Sequence, residues 1–419
     1  MSEHMIDWTH AAPRSATTTG EPPLVAATTS APFVGFLERA RGSASFLLVV
    51  NDSTRSTATT ATLRALQEQA PDLLRRARVL VATGSHGFGE TARASYEEQL
   101  ELKAHGIASV SWHDARADAL VELGGIRVHP WIAEAEHMLA IGSVEPHYFA
   151  GLTGAHKTIT IGCVSRRDIE RNHERALDPA TRILTLDGNP VFDGIAAMAE
   201  AVTRGRDVLA LNQIVHDGDI VDAAVGDPVA TVRSLRAGVL DVYASVFDRT
   251  FDVLHLRVPP PLGRSLYQAD KALKNHDLAV RDGGTIILEA ACEEGLGQDA
   301  FIELLRAAPT FVGTLALIEQ RGYRLGDHKA VLLRRLMDER CRGVRVLLVS
   351  PTLDPSSLER TSIELFRSVE EALASMGSEG PMRGLRVEDA AMCVSILEPS
   401  AGARDANEAN EANEANARS

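Results

Sequence analysis

The chain has 419 residues, of which 45% are hydrophobic and 24% charged, and it carries a formal charge of −14. That length supports a sizeable buried core divided over about two domains, and the acidic balance argues against nucleic acid or an anionic membrane as partner. Four scattered cysteines with no C-x-x-C spacing argue against a disulfide framework or a zinc knuckle. No apolar run approaches the roughly 20 residues of a membrane span and no signal-peptide pattern is visible, so the sequence predicts a cytoplasmic protein.

In chain order, residues 1–30 are rich in Thr, Ala and Pro and read as a flexible N-terminal arm. From Phe46 short apolar runs alternate with helical periodicity: FLLVV (46–50), a helix over Thr59–Ala70 broken at Pro71, ARVLVAT (77–83), the helix-like ETARASYEEQLELKAHG, then IASVSW (107–112). Fully apolar runs of about five residues, each followed by an amphipathic helix, are what buried parallel strands require. FDVLHLRV (251–258) runs into Pro259-Pro260-Pro261, which can continue neither a ladder nor a helix. The sequence therefore predicts an N-terminal cofactor-binding α/β domain over 31–258 and a C-terminal α/β domain over 262–400. The second half repeats the rhythm with TIILEAA (285–291), VRVLLVS (344–350) and AAMCVSIL (390–397). Residues 401–419 form a polar low-complexity tail with no apolar face. The fold class is α/β: two domains with largely parallel sheets and an active-site cleft between them.

Between Glu145 and His173 one segment carries His147, Lys157 and His173. Ala150, Gly151, Gly154 and Ala155 leave the lysine uncrowded, so the backbone can come close to a bound molecule. Ser165-Arg-Arg-Asp resembles a capping box and starts a helix that carries His173. A proton-transfer group, an amine and a nitrogen ligand suggest a cofactor site with a metal; an ordinary strand-loop-helix connection with solvated histidines explains the same residues equally well. Asp52–Arg55 and Thr83–His86 each follow the carboxyl end of a predicted strand, the edge where open α/β sheets place their ligands.

These stretches resemble the nickel-dependent lactate racemase family. Its E-x-H-Y-x-A-G segment, lysine loop and N-H pair correspond in order and spacing to His147, Lys157 and Asn172-His173. Asp52-Ser53-Thr54-Arg55 resembles its D-x-T-R motif, Ala82-Thr83-Gly84-Ser85-His86 its A-T-G-x-H motif, and Tyr267-Gln268-Ala269-Asp270-Lys271 its Q-x-x-K segment. The resemblance runs from about Phe46 to at least Gly297. Ala155, Ile161-Gly162 and Ser56-Thr57 depart from the family pattern, in loops expected to touch cofactor or substrate.

The resemblance implies a racemase or epimerase acting at C2 of a 2-hydroxy acid, lactate or a relative of it, by reversible hydride transfer. His86 and His147 are then the two acid/bases, since imidazole both takes and returns a proton near neutral pH. The implied cofactor is a nickel-pincer nucleotide (pyridinium-3-thioamide-5-thiocarboxylic acid mononucleotide) with Ni(II), linked to Lys157 and ligated by His173, with Asp52, Ser53, Thr54 and Arg55 helping to seat it. Arg55, Gln268, Lys271 and Tyr267 are the implied substrate contacts; a guanidinium grips a carboxylate through two parallel hydrogen bonds. Cofactor-synthesis proteins are the implied protein partners. Two other readings compete: a zinc-dependent hydrolase using His86, His147 and His173 as ligands, and a non-catalytic binder of the pincer cofactor.

Overall fold

The computed structural model describes residues 6–11, 21–43, 45–377 and 380–398. The described residues divide into two compact units, one within residues 14–242 and one made of residues 6–11 together with those from 243 to 398. The predicted tail lies outside the described residues. The arm departs from expectation: β1 (Ile6–Ala11) pairs in parallel with Met382–Val387, Ile6 opposite Met382 through Ala11 opposite Val387. Residue 384 is a glycine at the centre of that pairing, and a Cβ there would lie 2.4 Å from the Trp8 ring. A second part of the arm forms helix α1 (Pro23–Thr29), begun by a proline in its first turn.

The unit of residues 14–242 is built on a six-stranded sheet. Its strands are β2 (Phe46–Asn51), β3 (Arg78–Ala82), β4 (Ser109–Trp112), β5 (His137–Ser143), β6 (Asp207–His216) and β7 (Asp219–Gly226), in the spatial order β7-β6-β5-β2-β3-β4. All neighbours run parallel except the β6–β7 edge pair. Leu47 to Val50 are wholly buried, as expected for a central strand covered on both faces. Leu48 and Val50 face Phe33, Phe36, Leu63 and Leu66 in the main core, and each such side chain contributes about 1.5–3 kcal/mol by leaving water. The predicted break at Pro71 is present, with helices at Thr59–Gln69 and Pro71–Arg76. After β5 the chain enters helix α2 (Ala155–Ile159), which carries Lys157, and then α3 (Arg166–His173) and α4 (Pro190–Thr203).

In the other unit the sheet order is β1-β13-β9-β10-β11-β12, formed with β9 (Phe251–Arg257), β10 (Val280–Glu289), β11 (Arg345–Val349), β12 (Glu364–Phe366) and β13 (Met382–Val387), all parallel. Because β9 is an interior strand of this sheet, the division falls at Val242/Tyr243 and not at the three prolines, which connect elements within one unit. The predicted strand over 390–397 shortens to β14 (Val394–Leu397) and leaves the main sheet to pair with β8 (Ala244–Phe247). Helices α5 (Leu266–His276) and α6 (Asp327–Met337) belong to this unit.

One close approach sets the position of the lysine helix. A Cβ on Gly142, in β5, would lie 2.3 Å from the Ala155 backbone nitrogen at the start of α2. Only glycine lets helix and strand meet at that separation. Gly142→Ala should therefore destabilise the protein by about 1–3 kcal/mol, the usual cost of forcing extra volume into a packed site. The check is the urea unfolding midpoint of the variant; an unchanged midpoint would show that α2 moves away freely.

Candidate active site

Parallel strands bring their carboxyl ends to one edge of the sheet, and the first set of candidate residues lies there. Asp52 directly follows β2 and is only 3% exposed. One carboxylate oxygen accepts from the Thr54 backbone N–H at 2.9 Å and the Thr54 hydroxyl at 2.5 Å; the other lies 3.0 Å from His86 Nδ1. His86 sits on the turn after β3, its N–H donating to the Thr83 carbonyl. That turn requires Gly84 at φ +57°, with its N–H on the Gly162 carbonyl. Burial alone pushes the Asp52 pKa up, but the hydrogen bond and charge of His86, with the two Thr54 bonds, outweigh it and hold Asp52 below the ordinary carboxylate value. Ser53 is exposed.

Arg55, half-buried, points a guanidinium nitrogen to within 3.8 Å of the Glu145 carboxylate, which is buried at the end of β5. The second oxygen of Glu145 is buried with no hydrogen-bond donor among the described residues, an arrangement that natural interiors rarely leave in place. Sequence reasoning used Glu145 only as the start of a motif and missed this pairing.

The second set surrounds Lys157. Its Nζ lies 3.0 Å from His147 Nε2, while His147 Nδ1 accepts the Ala150 N–H at 3.2 Å. The imidazole of His147 stacks on Tyr148 and meets the Phe149 ring edge-on at 4.4 Å. Phe149 in turn stands edge-on to His173, 4.9 Å between centroids, so one phenyl ring separates the two histidines. The lysine helix is pinned at its start by Asn212 of β6, whose carbonyl accepts the Ala155 N–H at 2.7 Å and whose amide donates to Thr231. His173 closes α3, which begins as predicted at Ser165: the hydroxyl caps the Asp168 N–H. The Asp168 carboxylate accepts from the Ser165 hydroxyl and from the Arg127 N–H, so it ties the helix start to a neighbouring strand.

Burial, reinforced by the positive charge of Lys157, pushes the His173 pKa down to about 3, which keeps the imidazole in the neutral form that ligates metals. Cys163 is no competing ligand: it is fully buried, its thiol bonds the Thr158 carbonyl, and burial pushes its pKa up. Among the described residues no group of three His, Cys, Asp or Glu side chains converges in a way that could hold a metal. The donor set expected of a zinc hydrolase, three histidines on one ion, is not assembled; His86 pairs with Asp52 and the other two flank Phe149.

In the other unit Ser265 caps α5 through the Gln268 N–H, and Gln268 and Lys271, three residues apart, share one face of the helix as expected. Tyr267 is held by Lys329 of α6, whose ammonium donates to the Tyr267 carbonyl and lies 4.2 Å over its ring. Lys329 also sits 3.7 Å from buried Asp270, which pairs with Lys274. Nothing in local spacing signals Lys329, because it meets Tyr267 from 62 residues away in sequence.

Residues 32–183 match the family model for the lactate racemase N-terminal domain, and residues 258–390 match that for the lactate racemase C-terminal domain. The chain belongs to the lactate racemase family. It is 26% identical over 351 residues to the lactate racemase of Lactiplantibacillus plantarum, covering 80% of this chain and 81% of that one. It is 26% identical over 326 residues to the lactate racemase of Thermoanaerobacterium thermosaccharolyticum, covering 71% and 72%. In fold it is similar to the solved lactate racemase apoprotein of Thermoanaerobacterium thermosaccharolyticum, with a TM-score of 0.76 at 20% identity over 86% of this chain and 88% of that one. A solved protein from Thermotoga maritima gives 0.64 at 14% identity, over 87% and 98%.

His156, next to the lysine, is fully buried against Phe192 with neither ring nitrogen hydrogen-bonded, and burial, then Lys157 and Arg233, push its pKa down to about 3. The unfolded chain binds a proton there below about pH 6.5 and the folded chain does not, so stability rises with pH in this window and is lost as pH falls. That amounts to about 2 kcal/mol between pH 7 and pH 5 for one such group. The urea midpoint of the wild type should fall across that range, and His156→Leu should flatten the fall.

Proposed function

We propose that this protein is a racemase or epimerase acting at C2 of a 2-hydroxy acid, with a nickel-pincer nucleotide as its cofactor. The observation that carries the reading is the pair of buried histidines, His147 and His173, flanking Phe149, with the half-buried Lys157 amine on His147, in the same unit as His86, which is paired to a carboxylate. An amine and a single neutral imidazole fit a group that brings most of its own metal ligands, since a planar four-coordinate site with soft sulfur suits Ni(II). Lys157 would hold that group, His173 would supply one nitrogen to its nickel, and the loop Asp52–Arg55 would help seat it. When bound, the cofactor supplies a hydride acceptor.

The chain's own residues do the rest. Inverting C2 means removing its hydrogen from one face and returning it to the other, and the hydroxyl proton must leave and return in step. His86 and His147 take and return that proton. His147 Nε2 meets the Lys157 amine in this structure, so the lysine that would hold the cofactor lies beside one of the two assigned bases. Arg55 offers two parallel N–H bonds to the substrate carboxylate, and Gln268, Lys271 and Tyr267 are assigned to substrate binding. Cofactor-synthesis proteins as partners and a cytoplasmic location belong to the same proposal; among the described residues no single helix is long and apolar enough to cross a membrane.

Two measurements test the reading. Protein produced together with cofactor-synthesis machinery should carry a mass increment and nickel; Lys157→Ala should lose the increment and His173→Ala should retain less nickel. Protein that stays at its apo mass without nickel would overturn the cofactor assignment. Chiral chromatography of single-enantiomer lactate and other 2-hydroxy acids should show racemisation or epimerisation. Arg55→Ala should lose about 1.5–3 kcal/mol of transition-state binding, roughly ten- to a hundredfold in kcat/KM, and Arg55→Lys should not restore it.

A further inference from the structure

We propose that Asp52 is a positioning residue for His86, fixing which ring nitrogen takes the substrate proton. This rests on the reading of His86 as a proton-exchanging group. It gives Asp52 a duty beyond seating a cofactor.

An ionised carboxylate only accepts. With Asp52 held below the ordinary carboxylate range and its Oδ2 3.0 Å from His86 Nδ1, the proton of the neutral imidazole must sit on Nδ1. The lone pair then lies on Nε2, at the opposite side of the ring, and half-exposed His86 presents that nitrogen as the acceptor. Free imidazole has no such constraint; which nitrogen is protonated is set by the bond the other one makes. Asp52 is itself fixed: the Thr54 backbone N–H and hydroxyl occupy its Oδ1, leaving Oδ2 for His86 alone. It is also almost wholly buried, so its charge is little screened by water.

Two consequences follow in the proton step. When His86 Nε2 takes a hydroxyl proton, the imidazolium carries its positive charge beside a buried carboxylate, which stabilises it, and the same proton returns from Nε2 on the reverse path. His147 is held in another way: Nδ1 accepts a backbone N–H and Nε2 faces Lys157. The two histidines are therefore supported by different chemistry, one by a carboxylate and one by main chain and lysine.

The test begins on the apoprotein. In long-range proton–nitrogen NMR of nitrogen-15-labelled protein above neutral pH, His86 should appear with Nδ1 protonated and Nε2 bare. Asp52→Asn, which keeps the shape and removes the charge, should abolish that fixed tautomer. Thr54→Val should weaken it, because Asp52 loses one of the bonds that orient it. In nickel-loaded protein, Asp52→Asn should lower kcat per bound nickel at least about tenfold while KM stays within about twofold. Wild-type His86 protonated at Nε2, or a tautomer indifferent to both substitutions, would overturn the proposal. So would a loss of activity in Asp52→Asn that tracks loss of nickel, since that marks cofactor seating alone. The tautomer is read without cofactor or substrate, so a protein that racemises no 2-hydroxy acid yet shows the Asp52-dependent tautomer defeats the functional reading and leaves the Asp52–His86 relation standing.

Discussion

Everything in the candidate site depends on the parallel arrangement of β2, β3 and β5. Parallel strands force every carboxyl end to the same edge, so loops that leave the sheet from different parts of the chain are delivered to one rim. Asp52 leaves from β2, His86 from β3 and Glu145 from β5, and the contacts Asp52–His86 and Arg55–Glu145 arise between these neighbouring exits. Such strands are hydrophobic on both faces, so the interior of the sheet has little chemistry to offer. The polar residues concentrate where burial ends.

A second constraint acts behind the rim. The lysine helix is short, and a short helix has little stability of its own. It is held from outside by the missing side chain at Gly142 and by Asn212, whose amide bridges Ala155 and Thr231. Gly154 takes a backbone angle of φ +146°, with the Val232 side chain and Asn212 pressed close on the side where a Cβ would stand. A rigid seat for Lys157 is thus made from small residues and one buried amide.

Electrostatics in this unit divide along the same line. His156 and His173 are sealed beside a lysine and kept neutral, whereas His86, nearer solvent, is given a carboxylate partner. Desolvation disfavours charge on the first pair. One unit of the fold therefore holds imidazoles in two environments, sealed beside a lysine and nearer solvent beside a carboxylate.

The sequence by itself determined the local elements and the ingredients of the site. Apolar runs such as FLLVV declare buried parallel strands because both faces must leave water, and the Ser165 cap declares the start of the His173 helix because a hydroxyl satisfies an end N–H. His86, His147, Lys157 and His173 stood out through the family motifs they resemble; spacing alone left an ordinary strand-loop-helix connection equally open. Tertiary structure decided what spacing cannot encode. It recruited Ile6–Ala11 from a polar-looking arm into the second sheet, where Met382–Val387 offered an unpaired edge, and it placed the division before β9 because that strand is interior to the later sheet. It also chose partners across long separations: Asp52 for His86, Glu145 for Arg55, Lys329 for Tyr267. Periodicity reports which face of an element is apolar; which polar groups then meet depends on how sheets and helices stack, and that is settled only when the whole core closes.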